Sequence, residues 1–205
     1  MSNPESFFDC LHTIAKLQRS LQGLSQLDIQ RIGYLSCILA LYDKKPVADW
    51  GYQFANTDLG KPFSYELSNA MKTLHASGRL LEEDGRFQLS DDGQAMLRAL
   101  DNLEASRARK RYLDAACFSM LAVPRSTLSQ GLDREPTVAS SQLRSNGAML
   151  LDGPAITLLY DQLAGLATIA GPESTDLVSP SVLWLSYSAD AAVSHAVSNQ
   201  EGMHA

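Results

Sequence analysis

The sequence predicts a mainly α fold carrying one small β-hairpin. Apolar residues recur at helical spacing through most of the 205 residues. An Asp-Gly pair separates two short apolar runs within residues 80–89. Ser and Gly punctuate the helical stretches where caps and stops belong.

From residue 5 to 22, Phe7, Phe8, Leu11, Ile14, Ala15, Leu17 and Leu21 share one helical face, and Gly23 stops the helix. Asp28 to Tyr42 makes a second helix. Its Ile29, Ile32, Leu35, Ile38, Leu39 and Leu41 leave it apolar on most sides, so burial is expected. Residues 43–62 break the rhythm with two Pro and two Gly, and the alternating Trp50, Tyr52 and Phe54 fit a short strand or a packed loop.

Ser64 reads as an N-cap, ahead of the stripe Leu67, Ala70, Met71 and Leu74, and Gly78 ends that helix. Leu80-Leu81 and Phe87-Gln88-Leu89 then form hairpin strands, with Asp84-Gly85 supplying the turn. Ser90 caps a helix over Gln94–Leu103 that is expected to continue to Val123.

The second half reads as helices with polar links. Pro124–Pro136 is expected to be a connector, and Thr137 to cap a short helix reaching Leu151, interrupted at Asn146-Gly147. Pro154 opens another helix faced by Ile156, Leu159, Tyr160, Leu163, Leu166 and Ile169, with Gly171-Pro172 at its end. Ser179-Pro180 starts the last, with Val182, Leu183, Leu185, Ala189 and Val193 inward and the tail fraying after Val197.

Helix, helix, strand or loop, helix, hairpin, helix is the order of a winged helix-turn-helix. The expected organisation is a winged-helix domain with flanking helices over residues 1–123 and a helical C-terminal region over 124–205.

Charge is unevenly distributed. Residues 1–125 carry 15 basic and 15 acidic side chains, whereas residues 126–205 carry 2 and 8, which accounts for the net charge of −6. Nucleic-acid binders draw most of their affinity from phosphate neutralisation, so the second half is unsuited to that role. Cys10, Cys37 and Cys117 are widely spaced and lie in apolar stretches, which reads as buried free thiols in a reducing, cytoplasmic setting. The N-terminus has neither a basic start nor an unbroken apolar run, and the most apolar stretch, 153–171, contains Asp161 and Gln162. Neither a secretory leader nor a membrane span is expected.

Chemistry-bearing patterns are missing. His12, His75, His195 and His204 have no His or Cys partner at metal-ligand spacing, and no phosphate loop, dinucleotide loop or nucleophile elbow is written in the chain. Glu82, Glu83 and Asp84 cluster on the hairpin without a His or Lys neighbour, the pattern of a solvated tip rather than an acid–base pair. No catalytic, metal or cofactor residue is assigned, and the expectation is a protein that is not an enzyme and needs no cofactor.

A winged helix ordinarily reads DNA, and helix 64–77 is the element that would do so. With its apolar stripe inward it would present Tyr65, Glu66, Ser68, Asn69, Lys72, Thr73 and His75. One Lys and one Asn beside a Glu make a thin base-reading surface, and the acidic hairpin tip is answered only by Arg86. One basic run stands out after the hairpin: Arg107, Arg109, Lys110 and Arg111, with Arg107 and Arg111 on one helix face. It suits DNA backbone, without sequence preference, or an acidic partner, against the alternative of a solvated face compensated by Asp101 and Glu104. Trp50, Tyr52, Phe54, Trp184 and Tyr187 are candidates for partner contact, aromatics being enriched at binding hot spots, though such residues more often anchor cores.

Along Tyr34–Leu80, YLSCILALYDKKPVADWGYQFANTDLGKPFSYELSNAMKTLHASGRL, the chain resembles the middle component of bacterial three-component ABC-ATPase defence systems, the Lamassu group. The resemblance spans about residues 28–100: the apolar helix, the W-G-Y-x-F segment, the G-K-P-F-S helix start and the hairpin. It implies a scaffold in a complex with an SMC-like ABC ATPase and an effector, often a nuclease. The subunit would bridge the ATPase and hold the effector inactive until foreign DNA is sensed, touching DNA only indirectly or nonspecifically. These are packing motifs, and the family supplies no active-site residues. The competing readings are a dimeric winged-helix transcription regulator and a condensin-type accessory subunit.

Overall fold

The computed structural model describes residues 3–142, 147–171 and 176–201, with side chains as far as Asp190. It is mainly helical, with two small antiparallel hairpins.

Helix α1 (Pro4–Leu21) begins where the Asn3 side chain accepts from the Glu5 and Ser6 amides, with Pro4 in the first turn. It ends on the left-handed Gln22, followed by Gly23 at φ 92°. Ser25 and Asp28 form a reciprocal capping box for α2 (Gln26–Tyr42), starting two residues earlier than its apolar pattern. Every residue from Ile32 to Leu41 is buried, so α2 is the central helix that its apolar character predicted.

The irregular segment 43–62 becomes a 3-10 turn, Val47–Trp50, and a minimal hairpin, β1 (Ala55–Asn56) with β2 (Pro62–Phe63). Helix α3 (Tyr65–Ala76) is capped by Ser64 as expected, and Gln30 of α2 clamps that cap by bonding both the Ser64 amide and its carbonyl. At its end, Gly78 (φ 71°) donates to the His75 carbonyl and Arg79 donates to Leu74, the paired bonds of a Schellman stop. Strands β3 (Leu80–Glu83) and β4 (Arg86–Leu89) pair across Asp84 and Gly85, both at positive φ. Leu24, between α1 and α2, adds to β4 through paired backbone bonds with Phe87.

The single helix expected from 94 to 123 is two. Helix α4 (Asp91–Leu100), capped by Ser90, stops at a turn over 101–103, and α5 (Glu104–Ala122) restarts after the extended Leu103. Gly93 explains where α4 must sit, since a Cβ there would lie 2.2 Å from the Arg79 carbonyl oxygen.

Two further expectations are corrected. The supposed connector after Pro124 contains α6 (Arg125–Asp133), whose Leu128 and Leu132 bury one turn apart. Next comes α7 (Pro136–Ser141), capped by Glu135 rather than Thr137, and it does not extend to Leu151. After Gly147 the chain is extended and joins β1: Asn56 donates to Ala148, and Leu150 donates to Phe54. A short apolar run beside an open strand edge satisfies its backbone there without a helix. Asn146 lies outside the described residues.

Helix α8 (Ala155–Ala170) follows Pro154 within one residue of the expected start, and α9 (Val178–Glu201) is continuous past Val197. Gly131 lets α6 abut α9 closely, a Cβ there being 2.6 Å from the Leu185 carbonyl oxygen, and Arg134 donates to the carbonyl of Ala189. One continuous apolar cluster draws on both 1–123 and 124–205, from Leu11 and Ile38 through Cys117 and Leu132 to Leu159 and Trp184.

Candidate protein-interaction surface

The basic run after the hairpin is dismantled by its own surroundings. Arg109 points into the core, where its Nε and Nη2 donate to the Asp9 carboxylate at 2.9 and 2.5 Å. Its Nη1 donates to the Trp50 carbonyl, and its guanidinium lies 3.7 Å from the centre of the Trp50 ring. Burial opposes the Arg109 charge, but Asp9 more than compensates and raises its pKa. The expectation that Arg109 contacts DNA or an acidic partner is therefore corrected, because a residue only 6% exposed and fully paired has nothing to offer phosphate.

The other members sit at the surface but are mostly answered. Lys110 pairs with Asp101 at 3.0 Å and Arg111 with Asp43 at 3.3 Å, while exposed Arg107 donates to the Asn102 carbonyl. Asp101 thus compensates the run, as the solvated-face alternative expected.

The first aromatic group is internal. Trp50, Tyr52 and Phe54 are at most 4% exposed and packed in series, Trp50 edge to face with Tyr52 and Tyr52 tilted against Phe54, with the Tyr52 hydroxyl donating to Asp9. They cannot meet a partner without unfolding the loop. Trp184 is also buried, its Nε1 donating to Gln162, whereas Tyr187 stands 60% exposed.

Helix α3 and the hairpin present less cation than the sequence suggested. Asn69, Lys72, Thr73 and His75 face outward as expected, but Ser68 is buried and bonded by Gln26. Glu82, Glu83 and Asp84 are exposed. The expectation that this cluster has no His neighbour is corrected, because the His75 ring on α3 lies 3.8 Å from the Glu82 carboxylate. Arg86, the cation of the hairpin itself, donates to the carbonyls of Leu21 and Gly23 at 3.2 and 3.1 Å. It locks α1 to the hairpin rather than reaching outward.

The open apolar surface lies elsewhere. Helix α8 carries a single charged residue, Asp161, yet buries only Leu159 and Leu163. Tyr160 and Ile169, placed inward from their helical spacing, are 40% and 79% exposed, and Leu183 on α9 is 51% exposed. A helix apolar all round gives no unique inward face, so periodicity could not choose between them. Between α8 and α9 runs a groove of about 380 Å³, bordered by Leu166, Ile169, Leu183 and Tyr187, with Trp184 and Gly165 within it. The missed signal was compositional: Leu183 and Tyr187 stand one turn apart in a region without Lys or Arg. Val193 and His195 lie outside the described side chains, and His204 outside the described residues.

Other chemistry is sparse. His12 binds Asp114 at 2.9 Å, and His75 faces the Leu80 carbonyl at 3.2 Å. All three cysteines are buried and free, with burial raising each thiol pKa. Among the described residues, no three His, Cys, Asp or Glu side chains converge as metal ligands, and no helix is long and apolar enough to cross a membrane. No protein-family model matches the chain, and no curated protein or solved structure matches it either.

Proposed function

We propose that this chain is a non-enzymatic, cytoplasmic scaffold subunit of an SMC-like ABC ATPase defence complex, bridging the ATPase and a nuclease-type effector in response to foreign DNA. Its N-terminal half is a winged-helix module redeployed for protein contact. Supporting the module is the order α1, Leu24 bridge, α2, α3, β3, β4, in which Leu24 and β3 flank β4 in antiparallel pairing.

One contrast carries the functional reading. The hairpin tip is acidic, Arg86 and Arg109 are turned inward, and Lys110 and Arg111 are paired with carboxylates, while α8 and α9 leave a contiguous apolar groove open to solvent. Like charge at the hairpin tip costs binding to phosphate, whereas exposed Ile169, Leu183 and Tyr187 gain from being covered. A tagged copy expressed from its native locus should recover a large ATPase with coiled-coil arms. Recovery without any such protein would overturn the assignment.

The second reading, a transcription regulator, has one observation in its favour: Asn69 and Lys72 are exposed together on α3. It requires nanomolar, sequence-dependent binding to an operator by the chain alone.

A further inference from the structure

We infer that the α8–α9 groove receives an amphipathic helix of a partner protein whose apolar face is bordered by Lys or Arg. The inference rests on the partner-binding reading above and specifies the ligand of that surface. Shape comes first. Leu183 and Tyr187 stand one turn apart on α9, Ile169 stands opposite on α8, and a Cβ added at Gly165 would meet nothing within 4 Å. An incoming helix with apolar residues at i, i+3 or i+4, and i+7 could seat a side chain over Gly165 and lay others along the two walls.

Charge then selects the occupant. After Arg144 the sequence holds six carboxylates and no Lys or Arg. Asp161 lines the groove, and exposed Asp190 follows Leu183 by seven residues, on the same face of α9. A helix with acidic borders would be repelled, and one with basic borders steered in and held in register. A second copy of this chain fits poorly. Groove against groove would set acidic surfaces together, and of the surface α5 cations it could offer, Lys110 and Arg111 are already paired with Asp101 and Asp43, leaving Arg107 alone against the two groove carboxylates.

The test uses the full chain and a fluorescein-labelled designed helical peptide of about 18 residues, with a Leu stripe bordered by Lys, read by anisotropy. A control peptide carries Glu at the bordering positions. The Lys-bordered peptide should bind, and the Glu-bordered one should not. Ile169→Asp or Leu183→Asp should weaken binding about tenfold or more, as expected for groove anchors. Asp161→Lys with Asp190→Lys should reverse the preference, whereas Glu82→Lys with Glu83→Lys should change nothing. Equal binding of both peptides, indifference to the groove variants, or a chain that dimerises through Leu183 would overturn the inference. Failure of the peptide experiment alongside recovery of the ATPase by the wild-type chain would sink the groove and spare the complex. Peptide binding without ATPase recovery would do the reverse.

Discussion

Asp9 and Arg109, a hundred residues apart in the chain, meet in a two-point ion pair at the centre of the fold. Asp9 is 1% exposed and also accepts from the Tyr52 hydroxyl, while Arg109 lies against the Trp50 ring. The pair ties α1, the aromatic loop and α5 together and satisfies the carboxylate that the core surrounds.

Removing one partner should be far worse than its count of bonds implies. Arg109→Met strands a buried carboxylate and should cost about 3–5 kcal/mol in urea unfolding. Arg109→Lys should rescue little, because a point charge cannot reproduce the fork or the stacking. A loss below about 1 kcal/mol would show that water reaches Asp9.

Glu135 makes a similar point for the C-terminal half. It is fully buried and accepts from the Tyr34 hydroxyl at 2.5 Å, the Thr137 hydroxyl and the amides of Thr137 and Val138. Burial raises its pKa, and those four donors pull against the rise. Glu135→Gln keeps the shape but sets an NH₂ group against donors, so a loss of about 2–3 kcal/mol is expected. Tyr34→Phe should cost about 1 kcal/mol, since the carboxylate keeps its other donors. Equal losses for the two variants would contradict this partition.

Asp114 supplies a pH test. Burial alone would raise its carboxyl, but hydrogen bonds and charge from His12 and Lys16 outweigh it and hold it at about 2, below the ordinary 3.8. A depressed acid contributes stability that is fully present above its unfolded value and lost as pH falls through its folded one. Asp114→Asn should therefore be less stable than wild type at neutral pH, with the gap closing between about pH 4 and pH 2. Urea midpoints measured across that range check it, and a gap independent of pH would contradict it.

Gly93 tests the seating of α4. Its backbone dihedrals suit any residue, but the Arg79 carbonyl occupies the space of a Cβ, and that carbonyl also accepts from Ser90. Gly93→Ala should cost about 1–3 kcal/mol through backbone displacement, visible as a lowered Tm. Gly85→Ala, with nothing near its Cβ but φ at 72°, should cost only about 1 kcal/mol.

What could be read from the sequence was what is decided locally. Ser64, Gly78 and Asp84-Gly85 act on their immediate neighbours, so the α3 cap, its stop and the hairpin turn fall where the residues place them. Arg109 could not be read that way, because only a partner a hundred residues away distinguishes it from Arg107 and Arg111. The α6 helix was hidden by its Ser and Gly content, although Leu128 and Leu132 carried the spacing. Helix α8 is legible from its apolar spacing, but its outward face is not, since an apolar helix announces burial whether the cover belongs to the same chain or to another.

Affinity for duplex DNA tests the central claim most directly. The purified chain should bind a labelled duplex at physiological salt no more tightly than about 10⁻⁶ M and without sequence preference, by fluorescence anisotropy. Saturable binding near 10⁻⁸ M or tighter that survives excess nonspecific competitor would contradict it.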